Sequence, residues 1–112
     1  MAKVKITNSL YKEIEKKFKG KAHNIIDLME TLENNPLKGK LLGSVGGIVI
    51  KEIRYESFRF YFITDDYKLK LIEKNELQDI LIKFVRMSDK NEQQKVINEI
   101  KEILRKLGGE GF

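Results

Sequence analysis

The side chains best suited to act on a charged substrate are arginines and lysines on strand-like stretches in the middle of the chain. In a strand, alternate residues face opposite sides. Phe58, Phe60 and Phe62 therefore point one way, into a core, and Arg59 and Tyr61 point the other. On the stretch before them, Glu52 and Arg54 share a face, with Lys51 on the same strand. A hairpin of the two would bring Arg54 and Arg59 onto one surface. A cation on an open sheet face beside an aromatic ring suits an RNA backbone and an unstacked base. A plainer use of the same residues is an ion-pair network of the arginines with Glu52 and Glu56, and residue types alone favour it. A second basic patch, Lys83, Arg86 and Lys90, lies around a later strand end. Lys38 and Lys40, in a glycine-spotted stretch, form a third, although loop lysines are usually just solvated surface.

Other chemistries find little support. The chain has no cysteine, which excludes disulfides and thiolate metal sites. Its one histidine, His23, cannot build a histidine metal cluster, and no Ser/His/Asp motif surrounds it. Phosphate-loop, HExxH and EF-hand patterns are absent, so neither a metal nor a cofactor is expected. The net charge is +5, from 22 Lys and Arg against 17 Asp and Glu. That excess favours a polyanion only if it is clustered. No apolar run approaches the roughly 20 residues that span a bilayer, and MAKVKITNSLYK lacks a signal-like apolar stretch. The expectation is a soluble cytoplasmic protein with no membrane partner. The Lys- and Glu-rich, cysteine-free usage fits a hyperthermophile or an AT-rich genome.

The elements that must position these residues follow from periodicity. With 112 residues the chain fits one domain and one core. Residues 3–6 alternate as a short strand does. Asn8 or Ser9 can cap a helix whose stripe is Leu10, Ile14 and Phe18, ending at Gly20. A second helical pattern runs from Lys21 to about Asn34, with Ala22, Ile25, Ile26, Met29 and Leu32 as its stripe. Asn35, preceding Pro36, stops it. LKGKLLGSVGG then reads as a glycine loop. Strands follow from Gly47 to about Arg54 and from Phe58 to Ile63, joined through Tyr55, Glu56 and Ser57. Asp65 and Asp66 read as a turn, and the alternation of Tyr67 to Ile72 as a third strand. Residues 76–87 fit helix or buried strand, and the expectation is a strand from about Ile80 to Arg86. Ser88 and Asp89 look like the cap of a long helix striped by Val96, Ile97, Ile100, Ile103, Leu104 and Leu107. Gly108 and Gly109 end it, leaving a frayed tail to Phe112. Runs of helices and strands, not strict alternation, argue α+β: an N-terminal helical hairpin packed on a small, antiparallel-dominated β-sheet with a C-terminal helix.

That order of segments resembles the RelE/ParE toxin superfamily, especially its HigB-like branch. Asn35 and Pro36 fit the family's turn after the helical hairpin, and Leu42 and Gly43 its leucine-glycine loop. Glu52, Ile53 and Arg54 fit the end of its first strand. Arg59, Phe60 and Tyr61 fit the next strand, and Phe84, Val85 and Arg86 the last. The resemblance covers roughly residues 3 to 105. It lies in order and spacing, since no single motif is specific. The chain departs from the pattern in three places. Met87 stands where many HigB-like members carry a second basic residue. The segment from about Lys68 to Leu77 is extra. Glu92, Gln93 and Gln94 occupy the place where some members carry a tyrosine.

The resemblance implies the toxin of a type II toxin–antitoxin pair, cutting mRNA in the ribosomal A site without a metal. Basic residues would surround the scissile phosphate while the ribose 2′-OH attacks in line, with arginine stabilising the developing charge and another group moving protons. By position Arg59, Arg54 and Arg86 become the catalytic candidates. Lys38, Lys40, Lys51, Tyr61, Lys83 and Lys90 become RNA-binding candidates. The implied partners are a small antitoxin, the ribosome and mRNA, in a homo-oligomer or a toxin–antitoxin hetero-oligomer. Two alternatives stay open: a ParE-like inhibitor of DNA gyrase without a reaction of its own, and a catalytically inactive binding protein of the same fold.

Overall fold

The computed structural model describes all residues, 1–112. Five strands, β1 (Ala2–Ile6), β2 (Lys40–Val45), β3 (Ile48–Tyr55), β4 (Phe58–Asp65) and β5 (Ile80–Ser88), form one sheet in the order β1-β5-β4-β3-β2. The β2–β3, β3–β4 and β4–β5 pairs are antiparallel, and β1 lies parallel to β5. Helices α1 (Asn8–Lys17) and α2 (Ala22–Glu30) pack on one face, and α4 (Gln93–Leu107) packs on the other. This is the α+β architecture that the periodicity implies.

The two cores follow from strand alternation. Ile53, Phe60, Phe62, Ile82, Phe84 and Met87 meet Leu10, Ile14, Phe18, Ile25, Met29 and Leu32 beneath the helical hairpin. Each large apolar side chain buried there contributes about 1.5–3 kcal/mol. The opposite face sends Ile50, Tyr61, Ile63 and Val85 against Val96, Ile97, Ile100 and Leu104 of α4. A bulge in β5, where the pairing steps from Tyr61–Arg86 to Phe62–Phe84, leaves Val85 without a partner on β4. The extra residue lets Phe84 and Met87 face the hairpin core while Val85 turns to α4.

Several elements differ from the sequence expectation. Tyr67 to Ile72 is not a third strand. It lies in a helix, α3 (Asp66–Glu73), whose N-cap is Asp65. The Asp65 carboxylate accepts from Lys68 N at 2.9 Å, so the aspartates start a helix and do not close a hairpin. Leu69 and Ile72, three apart, pack with Val49 and Ile80 in a small cluster of their own. The glycine loop is not wholly a loop either, because Lys40–Val45 is the edge strand β2. Gly46 and Gly47, with φ of +56° and +81°, form its two-residue link to β3.

Smaller shifts occur at the ends. The cap of α1 is Thr7. Ser88 belongs to β5, and Asp89 instead accepts from Glu92 N at 3.0 Å, one turn ahead of α4. The tail is not frayed: Gly108–Gly111 makes a 3-10 turn, and Phe112 packs against the α4 core. Gly111 approaches Ile103 so closely that an added Cβ would overlap the Ile103 side chain.

Candidate functional site

The β3–β4 hairpin pairs Arg54 with Arg59 directly and Glu52 with Tyr61. All four lie on the face that α4 covers. This face is not the open one expected for Arg59 and Tyr61: Arg59 and Tyr61 are 7% and 0% exposed. The α4 stripe must cover apolar surface somewhere, and the hairpin already occupies the other face of the sheet.

Glu52 is the centre of the arrangement. Its carboxylate is buried and held from three sides. Arg54 Nε donates to Oε2 at 3.1 Å, and Gln93 Nε2, from the first turn of α4, donates to Oε1 at 3.2 Å. Arg59 Nε stands 3.9 Å from Oε2, near enough for charge pairing but not for a hydrogen bond. That Nε is buried without any hydrogen-bond partner. Arg59 Nη1 donates to the Ser57 carbonyl at 3.4 Å. The ion-pair reading of Arg54 and Arg59 with Glu52 is therefore what the geometry shows. Glu56 instead pairs with Lys21 at 3.3 Å.

Tyr61 completes the buried network. Ser88 Oγ donates to the Asp89 carbonyl at 2.9 Å, so at 2.7 Å the Tyr61 hydroxyl is the donor to Ser88 Oγ. Burial pushes the Tyr61 phenol above its ordinary value, against the smaller downward effects of Ser88 and Arg59. In this setting its ring packs in the core and presents no face to a base.

The remaining candidates are scattered. Lys51 faces the hairpin side, away from Arg59, and its Nζ donates to the Leu37 carbonyl at 2.9 Å. Desolvation lowers its pKa, partly offset by Glu73. Lys38 Nζ donates to Thr31 Oγ1 at 3.4 Å, Lys40 is exposed on the edge strand, and Lys90 is exposed beyond β5. Arg86, opposite Tyr61 in the register, donates to the Val85 carbonyl at 2.8 Å and lies over the Phe112 ring at 5.2 Å. Lys83 Nζ donates to the Phe112 carbonyl. Thus Arg54 and Arg59 are brought together, Arg86 lies one strand away, and the lysines do not join them.

The cleft beside Arg86, about 360 Å³, is a poor anion site. Four carboxylates line it (Glu13, Asp89, Glu92 and Glu99) against three cations (Lys17, Arg86 and Lys95). His23 is exposed on α2, and no three His, Cys, Asp or Glu side chains gather to hold a metal ion. No helix is long and apolar enough to cross a membrane. Sequence reasoning missed Gln93 and Ser88. Gln93 had a faint signal, since it opens the α4 stripe, and a helix starting there reaches the Glu52 side of the sheet. It also missed Lys3, Lys5 and Lys68, although the alternation of residues 3–6 already put the first two on one face.

No family model matches the chain, and no curated protein matches it. Among solved structures, it is similar to a chain in the crystal structure of the archaeal RelE–RelB complex from Pyrococcus horikoshii OT3. The two share 17% identity over 79% of this chain and 93% of the other, with a TM-score of 0.58. The likeness is one of fold: the chain has a RelE-like α+β architecture, with a helical hairpin on one face of the sheet and a C-terminal helix on the other.

Proposed function

We propose that residues 1–112, as one domain, are the toxin of a type II toxin–antitoxin pair, acting in the cytoplasm on mRNA at the ribosome without a metal. The observation that carries this reading is the fold likeness to a chain of the RelE–RelB complex, joined to the Glu52, Arg54 and Arg59 arrangement on the sheet face beneath α4. Arg54 is half exposed and is the cation that an incoming phosphate meets first. Arg59 would then serve the pentavalent phosphate, once the phosphate replaces Glu52 as its counter-ion. Arg86 would join them only on leaving both the Phe112 ring and the carboxylate-rich cleft that it lines. The HigB-like assignment belongs to this proposal, as does an antitoxin partner.

A second reading, an inhibitor that acts by binding alone in the manner of ParE-like proteins, is favoured by the same carboxylate. Glu52 neutralises Arg59, and the phenol of Tyr61 is committed to Ser88. The two readings separate on mapped mRNA ends after induced expression. Cleavage predicts new 5′ ends that vanish for Arg59→Ala while the variant stays folded. Growth arrest with intact mRNA and altered DNA supercoiling selects the inhibitor. Wild-type cleavage by Arg59→Ala removes the catalytic assignment.

A further inference from the structure

The covered face of the sheet has an uncovered remainder. Helix α4 closes over β2, β3, β4 and the Val85 region of β5, but Leu81 of β5 is 44% exposed. Ala2, Val4 and Ile6 turn to the hairpin core, so Lys3 and Lys5 stand on the same side as Leu81 and Lys83. The parallel register places Lys3 opposite Leu81 and Lys5 opposite Lys83. Two adjoining clefts share Lys68 and Leu81. One, of about 340 Å³, is floored by Ile48 and Ile63 and walled by Lys83 and Gly109. The other, of about 450 Å³, reaches Lys3 and Lys5.

The charges there are unbalanced. Lys3, Lys5 and Lys68 join no salt bridge, while the nearby acids are engaged. Asp65 caps α3, and Asp79 accepts from the Met1 amine at 3.0 Å. Like charges facing each other across strands, as Lys5 and Lys83 do, oppose pairing. An apolar floor ringed by lysines differs from an RNA site, which needs aromatic faces to stack bases and gains from arginine forks. Leu81 offers a hydrophobic seat and the lysines offer point charges around it.

We propose that this uncovered β1–β5 half of the sheet docks an acidic, amphipathic protein segment, with its apolar side chains on Leu81 beside the half-buried Ile48 and its carboxylates on Lys3, Lys5, Lys68 and Lys83. Naming that segment as part of the antitoxin rests on the toxin reading, whereas the chemistry of the surface does not.

The test is fluorescence anisotropy with the full chain and three labelled probes: a helical peptide of Glu with Leu at helical spacing, its Glu/Ser counterpart, and an oligouridine. Binding of the Glu/Leu peptide is expected to shift the Leu81 methyl NMR signals. Either Leu81→Asp or Lys5→Glu should weaken that binding at least about tenfold, with circular dichroism unchanged and the melting midpoint no lower than the parent's. Salt should weaken it as well. Three results overturn the proposal: the Glu/Ser peptide binds equally well, Leu81→Asp has no effect, or oligouridine alone is bound through Lys5. None of these depends on mRNA cleavage. Binding without cleavage therefore rejects the ribonuclease, and cleavage without binding rejects the docking surface.

Discussion

The two halves of the sheet face that carries α4 treat their charges in opposite ways. Under α4, Arg54 and Arg59 share the buried Glu52, and a glutamine from the helix completes its shell. Beside α4, lysines on β1 and β5 face each other with no carboxylate between them. Burial explains the difference. A charge removed from water must bring its counter-ion with it, whereas a solvated lysine can wait for one. The covered half is therefore built for stability and is closed to a ligand until Glu52 yields. The uncovered half contributes little to stability and is free to bind.

The largest expected effect comes from breaking the covered half at its centre. Glu52→Ala leaves Arg59 buried without a counter-ion, and about 3–5 kcal/mol of stability should be lost in urea unfolding. Ile100→Ala, which opens α4 over a fully buried site, should cost about 2–5 kcal/mol. By contrast, Leu81→Ala on the uncovered half should stay within about 0.5 kcal/mol of the parent. If those two variants unfold at the same urea concentration, the division into halves is wrong.

Tyr61 sharpens the comparison through pH. Its folded pKa is raised by burial, so the folded state holds the phenolic proton after the unfolded chain has released it. The contribution is complete below the ordinary tyrosine pKa near 10 and is lost as pH rises from there through the folded value. Stability should fall on that alkaline limb, and Tyr61→Phe should flatten the Tyr61 part of it. The variant should cost about 1 kcal/mol at neutral pH for the lost hydrogen bond, with Ser88 still bonded to Asp89. The smallest effect belongs to Lys5→Gln. It should raise the melting midpoint slightly at low salt and leave it unchanged at high salt, as relief of Lys5–Lys83 repulsion requires.

Much of the fold was legible because two periods are hard to mistake. The α4 stripe from Val96 to Leu104 and the Phe58, Phe60, Phe62 alternation each match one geometry alone. Tyr67 to Ile72 matches two. Its alternation reads as a strand, while Leu69 and Ile72 also satisfy a helical step, and only the capping carboxylate of Asp65 decides. β2 was hidden because Gly43 and the Gly46–Gly47 pair read as loop, although a bulged edge strand accepts glycine. For the site, alternation correctly put Glu52, Arg54, Arg59 and Tyr61 on one face. It could not tell that a helix forty residues on would roof that face, because a roof is a tertiary fact. The clue lay in α4 itself, whose apolar stripe had to find the one sheet face the hairpin left free.

The place of β5 also governs the order in which the molecule can assemble. It is the last strand to be synthesised, yet it lies between β1 and β4. Until it arrives, the first strand has no neighbour and β4 carries an open, strongly apolar edge. The helical hairpin then has only part of its floor. Pairing across such a sequence separation closes a long loop and slows folding. A nascent chain that stops short of Ile80 is thus a sticky half-sheet, in need of shielding while the ribosome finishes. One strand, arriving late, converts an aggregation hazard into a closed structure.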